Sequence, residues 1–571
     1  MPAVRGYEAE PCHSITGEVG TGYRDALTDL APGLVLAVDG PPAVDWETVA
    51  AGIRDALAAR GIAAKQIDTR EHFAPWPDIL ARTGSAVLAD DPDFAPLSRA
   101  GLADFFTGLP EPGAAADAAD DAVTVVLGPG AALVPYDRLW YADLPKRYAE
   151  AGITGGSGRN LGQPAGTGAG TTRRLFYIDW PVLDRHRDAL LPDVDLWLDV
   201  QDPQAPAWLD GTGLRGALAD LARRPFRTRP TFNTTSWGGH WAQEQLGFNR
   251  EAANTALGYE LIAPESGILV GRPEGPRVEI PLQALVALHP EEVLGEPVHA
   301  MFGTSFPIRF DYLDTVGGGN LSVHCHPQSD YMRGVFGWPY TQHETYYMML
   351  GGAGSQVFLG LREDADLAAF RREADRAVQE GVPFDIERYV QTFPADRHQL
   401  FLIPGGTPHG SGAGNVVLEI SATPYLYSLR FYDWLRRDRE GRQRPVHVGH
   451  AFENLDPARS GEAVARDLVQ QPRTLRSGEG WREDVIGRLP EMFFEVRRLE
   501  LAPDAVVDDD TDHRFHVVNV VAGDGILLET SGGHRRVLAY AETLTVPAAV
   551  GAYRVRTLGA GPVRYVKALV R

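Results

Sequence analysis

The sequence predicts a multidomain protein in which an α/β domain is followed by all-β barrels with one helical insertion. Near the N-terminus, short apolar runs typical of buried strands alternate with a segment of helical periodicity. Further along, many short segments alternate apolar and polar residues between turn residues, which is the pattern of barrel strands. The chain has 571 residues, of which 44% are hydrophobic. It is too long for one core and has enough apolar residues for several.

These patterns divide the chain into three predicted domains. We expect an α/β domain over residues 1–225, a central barrel domain over 226–475 and a C-terminal barrel over 476–571. The segment Phe226–Pro230 is interpreted as the linker into the central barrel. The last domain contains short strands with turn residues between them, and we expect its role to be structural.

The first domain begins with a strand, a loop and a helix. Leu34–Val38 is an apolar run of buried-strand type, and Trp46–Arg60 places Val49, Ile53 and Leu57 on one helical face. Further strands are predicted at Val123–Leu127, Leu175–Ile178 and Leu196–Val200. The alternation of strands and helices indicates a parallel sheet.

The loop after the first strand, DGPPAVDWET, stands where a P-loop kinase would hold phosphates. A working P-loop needs GxxxxGK[ST], whose glycines expose backbone N–H groups and whose lysine reaches the outer phosphates. Asp45 and Trp46 stand where the second glycine and the lysine should be. The outline resembles a uridine-kinase-like fold that has lost its nucleotide site, a degenerate P-loop-kinase-like domain.

The glycine-rich stretch Ala151–Gly170 has too few apolar residues to pack by itself. It is either a mobile surface loop or a lid that meets an anion. The lid is suggested by basic residues that flank the stretch or lie within it: Lys146, Arg147, Arg159, Arg173 and Arg174. Asp179 and His186, near a helix start, are interpreted as structural.

The segment Leu321–Leu350 contains the strongest candidates for chemistry. In LSVHCH, His324 and His326 alternate with apolar residues, so both imidazoles point to one face of a strand. Pro327 ends that strand because proline lacks a ladder donor. A second predicted strand, Glu344–Leu350, begins with a carboxylate.

A third histidine lies in a rigid turn. The glycines and prolines of PGGTPHG hold His409 at a strand end. Three imidazoles and one carboxylate suit a divalent ion with an open position for substrate. An isolated HxH is as well explained by strand histidines that face solvent. The ordered presence of Glu344 and His409 favours a metal site.

These residues also carry a family resemblance. LSVHCHP, HETYYML, IPGGTPHGSGAGNVVLEIS and SLRFYDW, in that order, resemble the type I phosphomannose isomerases, zinc-dependent cupin proteins that interconvert an aldose phosphate and a ketose phosphate. SWGGHW and GYELIAPESG are similar to that family's opening segment. The resemblance covers residues 226–571 and implies cupin jelly-roll barrels with a helical insertion, which agrees with the amphipathic spacing over 364–381.

The resemblance implies a set of site residues. His324, His326, Glu344 and His409 would hold zinc, with iron or manganese as alternatives, and Arg430 of SLRFYDW would be the active-site arginine. The family usually has glutamine in place of His324. It also usually has lysine where this chain has Gln342. The lost positive charge makes an unphosphorylated sugar an alternative to a sugar phosphate.

The expected function is a metal-dependent aldose-ketose isomerase, similar to mannose-6-phosphate isomerase, which moves a proton between C1 and C2 of an open-chain hexose. His240 and Glu260 are possible proton carriers, although His240 is equally well explained as a core histidine. Two alternatives remain. A cupin non-haem metal oxygenase would use the same ligands for iron, and a non-catalytic sugar sensor would fit Gln342 and the degenerate first domain.

Composition restricts the partners. The net charge of -22 argues against nucleic acid and against an anionic membrane surface, because both would repel the chain. Two cysteines, Cys12 and Cys325, exclude a disulfide framework. The N-terminal segment lacks a basic stretch followed by an apolar core, so we expect a cytoplasmic protein whose partner is a sugar or sugar phosphate. The sequence does not indicate an oligomeric state.

Overall fold

The computed structural model describes residues 6–28, 30–110, 122–438 and 441–571. The protein is sheet-rich, with several sheets and some helices. It divides into two compact units. The α/β unit consists of Cys12–Leu221 and Gly267–His289, and the β unit consists of Met1–Pro11, Ala222–Ser266 and Pro290–Arg571. The division into three domains stays a prediction.

The strands are numbered in chain order. Those up to residue 281 are β1 (Cys12–His13), β2 (Gly20–Thr21), β3 (Val35–Asp39), β4 (Ala63–Asp68), β5 (Ala122–Leu127), β6 (Arg138–Asp143), β7 (Leu196–Asp199), β8 (Ala207–Asp210), β9 (Thr231–Asn233), β10 (Leu257–Leu261), β11 (Gly267–Gly271) and β12 (Arg277–Pro281). The next are β13 (Ile308–Asp314), β14 (Val323–Cys325), β15 (Glu344–Gly351), β16 (Gln356–Leu361), β17 (Val390–Pro394), β18 (Leu400–Ile403), β19 (His409–Ser411), β20 (Asn415–Ala422) and β21 (Leu429–Tyr432). The last are β22 (Arg473–Gly478), β23 (Trp481–Gly487), β24 (Phe494–Leu501), β25 (Val506–Asp510), β26 (His516–Ala522), β27 (Gly525–Thr530), β28 (Arg535–Ala539), β29 (Thr543–Val546), β30 (Ala552–Leu558) and β31 (Val563–Val570).

The helices are numbered in the same way. They are α1 (Tyr23–Ala26), α2 (Trp46–Ala58), α3 (Trp76–Thr83), α4 (Lys146–Thr154), α5 (Thr172–Arg174), α6 (Trp180–Leu190), α7 (Gly211–Leu221), α8 (Leu282–Leu288), α9 (Pro290–Leu294), α10 (Glu296–Phe302), α11 (Ser329–Tyr331), α12 (Leu367–Glu380), α13 (Val448–Asn454) and α14 (Glu462–Leu468). Three π-helical turns cover Leu175–Asp179, Ala242–Leu246 and Met332–Phe336. Short 3-10 turns cover Thr69–His72, Leu102–Phe105, Ala131–Leu133, Leu191–Asp193, Ile386–Arg388 and Ala548–Val550.

The described part of the α/β unit contains a sheet in the order β2-β8-β7-β6-β3-β5-β4. Strands β7, β6, β3, β5 and β4 are parallel, and β8 runs antiparallel to β7. Helix α2 buries Trp46, Val49, Ile53 and Leu57 in the core of this unit. Asp45 caps that helix by accepting from the Thr48 backbone N–H at 3.1 Å. A carboxylate therefore stands at the helix start that follows β3.

One predicted strand is wrong. Leu175–Ile178 forms part of the π-helical turn between α5 and α6. Four apolar residues are too few to distinguish a strand from a buried helical segment. The buried positions continue at helical spacing through Val182 and Leu183, and this longer pattern determines the structure.

The basic residues around the glycine-rich stretch are bound within the α/β unit. The Lys146 ammonium lies 2.6 Å from the Asp184 carboxylate, and the Arg147 guanidinium lies 2.7 Å from the Glu279 carboxylate. Arg173 donates to two backbone carbonyls. These groups thus have protein acceptors, and an anion-binding lid stays a prediction.

Asp179 connects the helical segment to the glycine-rich stretch. Its carboxylate accepts from the Asn160 side-chain amide at 2.8 Å and from the Leu161 backbone N–H at 3.1 Å. Burial raises the pKa of Asp179 to about 6, against the attraction of the Arg174 guanidinium. His186 Nε2 lies 2.8 Å from the carboxylate of Asp39 at the end of β3. Both residues thus have partners inside the unit.

In the β unit, two antiparallel sheets carry the candidate site. Their strand orders are β18-β15-β20-β13-β10-β9 and β17-β16-β19-β14-β21. Helix α12 begins after Asp366, which accepts from the Ala369 backbone N–H at 3.0 Å, and ends at Gly381 with φ of 66°. Phe370 of this helix stacks on Phe431 of β21 with ring centroids 5.3 Å apart. The helix therefore packs against the strand that also carries Arg430.

Two further sheets of the β unit, in the orders β22-β23-β24-β31-β26-β29 and β25-β30-β27-β28, enclose an apolar core. The interior also contains a buried cation: Lys567 Nζ lies 3.0 Å from Glu483 and also contacts Asp509. The segment predicted as a linker begins inside the β unit. Phe226 is buried, and its backbone forms an isolated β-bridge with Thr545. All of these contacts lie within the β unit.

Among the described residues, none of the helices combines the length and the apolar character needed to cross a bilayer.

The turn between β17 and β18 generates a pH prediction. His398 has φ of 71°, and its Nδ1 is hydrogen-bonded to the Tyr347 hydroxyl at 2.9 Å. Burial and nearby arginines lower the pKa of His398 to about 4. The unfolded imidazole titrates near its ordinary value of about 6.5. As the pH falls between these values, the unfolded state binds a proton that the folded state does not, so the free energy of unfolding decreases.

His398→Asn removes this titration and keeps a residue that tolerates positive φ. We expect the melting temperature of the variant to fall less than that of the wild type between about pH 7.5 and about pH 5. Thermal denaturation followed by circular dichroism measures this difference. The exposed residue His534 gives the matched control His534→Asn, which should keep the wild-type pH slope. Equal slopes for all three proteins would contradict the prediction.

Candidate metal centre

Three histidines from neighbouring strands meet inside the β unit. β14 pairs with β19, and His324 lies opposite His409 in the register. His326 follows β14 directly. The ring centroids of His324 and His409 are 4.2 Å apart, and His326 lies within 5.2 Å of both. Each imidazole offers one ring nitrogen within 4.8 Å of the other two, and all three residues are buried.

Backbone carbonyls fix the tautomer of each imidazole. The Nδ1 atoms of His324, His326 and His409 lie 3.0, 3.2 and 2.9 Å from the carbonyl oxygens of Ser322, Tyr427 and Thr407. A carbonyl only accepts, so each Nδ1 carries a hydrogen, and in the neutral ring each Nε2 has a lone pair that can bind a cation. Burial lowers the pKa of His324 and of His326 below the ordinary value, which opposes protonation of these rings.

Glu344 contributes a carboxylate from the other sheet. Its Oε2 lies 2.6 Å from His326 Nε2 and accepts from the Gln342 amide at 2.8 Å. Its Oε1 lies 3.4 Å from His409 Nε2. Burial acts to raise the pKa of Glu344, but the attraction of His326 and His409 outweighs it and holds the pKa below its usual range.

The three imidazoles form a group whose ligand atoms could hold a metal ion, and the Glu344 carboxylate lies beside two of them, His326 and His409. His326 Nε2 and Glu344 Oε2 lie 2.6 Å apart, a contact that requires a positive charge between them, either a proton or a metal ion. His409 Nε2 and Glu344 Oε1 are buried without a hydrogen-bond partner among the described residues. Imidazole nitrogens with one carboxylate suit zinc, iron or manganese.

His324, His326 and Glu344 line a pocket with a cavity volume of about 170 Å³. Arg430 of β21, opposite His324 in the register, also lines it, as does Arg444. Arg430 Nη1 donates to the Pro445 carbonyl at 3.0 Å. Of the five residues predicted from the sequence, four line this pocket: His324, His326, Glu344 and Arg430. The fifth, His409, lies beside them, with a ring nitrogen within 4.8 Å of those of His324 and His326.

A polar wall of this pocket was missed by the sequence reasoning. Arg309 and Asp311 of β13 lie beside Ser421 and Glu419 of β20 in the register, and Tyr346 of β15 lies beside Glu419. All but Ser421 line the pocket. The signal was present in Ile308–Asp314, where charged residues alternate with apolar ones. Such alternation places Arg309 and Asp311 on the same face of the strand.

The two residues considered as proton carriers lie elsewhere. His240 Nδ1 contacts the Gln243 side-chain oxygen at 2.7 Å. The Glu260 carboxylate accepts from the Tyr7 hydroxyl and, at 2.8 Å, from the Thr543 backbone N–H. Neither residue lines the pocket.

The α/β unit contains a larger cavity of about 880 Å³ beside the loop after β3. Its polar side chains bond to the unit itself: Arg70 pairs with Asp68 and Glu47, and Asn160 bonds to Asp179. No lining residue of this cavity has a buried side-chain polar atom without a hydrogen-bond partner. The orphaned buried atoms thus indicate the pocket of the β unit as the candidate site.

Known proteins resemble two parts of the chain. Residues 22–223 match a family model described as a domain of unknown function (DUF8485). A mannose-6-phosphate isomerase of Streptococcus mutans serotype c is 24% identical over 316 residues, which are 54% of this chain and 88% of that relative. The mannose-6-phosphate isomerase ManA of Bacillus subtilis is 25% identical over 340 residues, which are 59% of this chain and 96% of that relative.

Among solved structures, a mannose 6-phosphate isomerase from Bacillus subtilis has a TM-score of 0.49 and 20% identity. That similarity covers 60% of this chain and 99% of the other. The comparisons identify mannose-6-phosphate isomerases as homologues over about 60% of the chain. The family resemblance that the sequence motifs carried is confirmed to this extent.

His409→Ala tests the metal centre. The variant removes a buried donor, and we expect metal affinity to fall at least about tenfold, the scale that even a supporting group can contribute. Inductively coupled plasma mass spectrometry after equilibration with a limiting concentration of zinc measures the bound metal. His409→Asn, which keeps more of the side-chain volume, serves as a second variant if the alanine variant is unstable.

The exposed residue His534 provides the control His534→Ala, which should bind as much metal as the wild type. Circular dichroism should show the sheet content retained in each variant. Unchanged metal binding in a folded His409 variant would contradict the role assigned to this residue.

Proposed function

We propose that this chain is a metal-dependent aldose-ketose isomerase of the mannose-6-phosphate isomerase type. The observation that carries the proposal is the convergence of three buried imidazoles, with the Glu344 carboxylate beside His326 and His409, at the edge of one polar pocket. The relatives named mannose-6-phosphate isomerase support the reaction class. The substrate is a hexose or hexose phosphate, which is isomerised between C1 and C2.

In this proposal, His324, His326, Glu344 and His409 hold one divalent metal. Zinc is favoured by the nitrogen and oxygen donors, with iron or manganese as alternatives. When bound, the ion supplies positive charge to substrate oxygens and thereby stabilises the negative charge that develops when a proton leaves carbon. Gln342 positions the Glu344 carboxylate by donating to its Oε2 at 2.8 Å.

Arg430 provides a second positive group in the pocket. It lies beside His324 across the β14–β21 pairing, and its guanidinium is oriented by the Pro445 carbonyl. A fixed cation beside developing negative charge lowers the barrier because no solvent must reorganise. We therefore assign Arg430 to stabilise charge on the substrate or to bind an anionic substituent.

The same proposal extends to the domains. The two facing antiparallel sheets support a cupin jelly-roll barrel over residues 226–475, with α12 as its helical insertion. Residues 476–571 form a structural barrel in this scheme. Residues 1–225 form a kinase-like α/β domain without a working P-loop, supported by the cap that Asp45 provides to α2.

A non-haem iron oxygenase is the second candidate function. It is favoured by a single feature, the imidazole of His324 at a position where the family resemblance leads one to expect glutamine. Iron accepts three histidines and one glutamate as readily as zinc does. Oxygen uptake by the iron-loaded chain in the presence of a sugar distinguishes this function from isomerisation.

Isomerisation can be measured directly. We expect the metal-loaded chain to interconvert an aldose and a ketose, tested with mannose 6-phosphate, mannose and fructose. Incorporation of deuterium from heavy water into the product reports the proton transfer. Removing the metal with a chelator should abolish turnover, and zinc should restore it. Absence of turnover with zinc, manganese and iron for all three sugars would exclude the proposal.

Arg430→Ala separates charge stabilisation from metal binding. We expect kcat to fall by about 10²- to 10³-fold, the effect typical of removing one stabilising group, while bound metal stays unchanged. Steady-state kinetics and metal analysis provide the two readouts. The control Arg466→Ala removes an exposed arginine whose ion pair is with its neighbour Asp467, and it should keep full activity. Loss of metal in the Arg430 variant would place this residue in the metal site instead.

A further inference from the structure

The large cavity of the α/β unit lies where open parallel sheets commonly bind ligands. Strands β4, β5, β3, β6 and β7 are parallel neighbours in that order, so the chain passes from β3 to the β4 side of the sheet and later from β5 to the β6 side. Connections that diverge in this way leave a crevice at the carboxyl ends of the strands. Residues 41–43 after β3 and Asp68 at the end of β4 line the cavity, whose volume of about 880 Å³ suits a small molecule.

Aromatic rings form much of the apolar surface of this cavity. Four aromatic residues line it: Phe73, Trp76, Tyr148 and Trp180. Each ring packs on another protein group, which is a phenylalanine ring for Phe73 and a lysine or arginine side chain for the other three, at 4.8 to 5.2 Å from the ring centroid. Rings that are held in this way keep one orientation. A ligand that packs against them therefore costs little side-chain entropy.

The glycine-rich stretch contributes a wall of the cavity through residues between 152 and 164. Hydrogen bonds fix its path: the Asn160 amide donates to the Asp179 carboxylate at 2.8 Å and to the Thr171 carbonyl at 3.1 Å. Gly158 is required by a close approach, because a Cβ at this position would lie 2.5 Å from the Ile153 backbone nitrogen. The wall therefore has its shape without a ligand.

The polar lining of the cavity offers both hydrogen-bond acceptors and donors. Three carboxylates, Glu47, Asp68 and Glu71, and two guanidinium groups, Arg70 and Arg159, line it. Glu47 Oε1 accepts from Arg70 at 2.9 Å, and a carboxylate has about four lone-pair sites, so Glu47 keeps acceptor capacity. Glu71 and Arg159 are exposed, one as an acceptor and the other as a donor.

Aromatic rings beside acceptors and donors match the surface of a sugar. A sugar ring has apolar C–H faces, which pack on aromatic rings, and hydroxyl groups around its edge, which both donate and accept. The polar residues come from separate parts of the chain: Glu47 and Glu71 follow β3 and β4, and Arg159 belongs to the glycine-rich stretch. A ring with hydroxyls around its whole edge can bond to both groups, whereas a nucleobase has few polar groups.

We propose that this cavity is a binding site for a neutral sugar of one or two rings, whose C–H faces pack on the aromatic residues and whose hydroxyls bond to Glu47, Glu71 and Arg159. The cavity is lined by the α/β unit, whereas the pocket beside the candidate metal centre is lined by the β unit. Sugar binding at this site therefore does not depend on the proposed isomerase activity.

Tyr148→Ala tests the site in the full-length, zinc-loaded chain. Isothermal titration calorimetry with mannose, fructose, maltose and sucrose measures the affinities. We expect the wild type to bind at least one of these sugars, and the variant to bind it about three- to tenfold more weakly because one ring contact is lost. Leu80→Ala is the matched control, since Leu80 lies in the same unit, does not line the cavity and is 44% exposed against 43% for Tyr148.

Glu71→Gln provides a second variant at an exposed position, where the substitution should not disturb folding. It should weaken binding of the same sugar by about tenfold, because a hydrogen bond to a charged acceptor becomes one to a neutral acceptor. Glu18→Gln is its matched control, since Glu18 belongs to the same unit, does not line the cavity and has an 89% exposed side chain. It should leave every affinity unchanged.

Arg430→Ala, in the pocket of the β unit, shows which unit binds the sugar. Binding that persists in this variant and weakens in Tyr148→Ala and Glu71→Gln supports the site in the α/β unit. The site is overturned if none of the four sugars binds, if the two cavity variants keep the wild-type affinity, or if uridine binds more tightly than every sugar. Sugar binding that depends on Tyr148, without turnover of any sugar, supports this site and removes the isomerase.

Discussion

The candidate site depends on how three buried imidazoles are oriented. Each Nδ1 is held by a backbone carbonyl at 2.9 to 3.2 Å, so each Nε2 turns a bare lone pair toward the same space as the Glu344 carboxylate. Lone pairs crowded at 2.6 Å in a buried pocket repel unless a positive charge lies among them. The preference of this site for a cation is therefore set by the main chain as much as by the side chains.

The two-sheet arrangement gives the pocket two chemically different sides. One sheet contributes His324 of β14 and Arg430 of β21, and the other contributes Glu344 together with Arg309, Asp311, Tyr346 and Glu419. Both sides come from the same property of strands, which places alternate residues on one face.

The α/β unit contains none of the candidate metal ligands. The α/β unit includes Cys12–Leu221 and the later segment Gly267–His289, which the sequence analysis had placed inside the central barrel. β11 and β12, from that segment, form a sheet with β1. The polar groups around the large cavity of this unit are bonded within the unit. The described residues that line this cavity have no buried side-chain polar atom without a hydrogen-bond partner, whereas the pocket of the β unit does have such atoms.

The sequence by itself determined the residues that could meet and the faces they occupy. The alternation in LSVHCH predicted His324 and His326 on one side of a strand, the PGGTPHG turn predicted His409 at a strand end, and the motif order indicated the isomerase relatives. Local periodicity reports which way a side chain points, but it does not report which distant strand lies opposite. Only the tertiary structure decided that Glu344 lies 2.6 Å from His326 and that Asp311 shares their pocket. It also decided that Leu175–Ile178 is helical, because four apolar residues satisfy either structure until the neighbouring turns are in place.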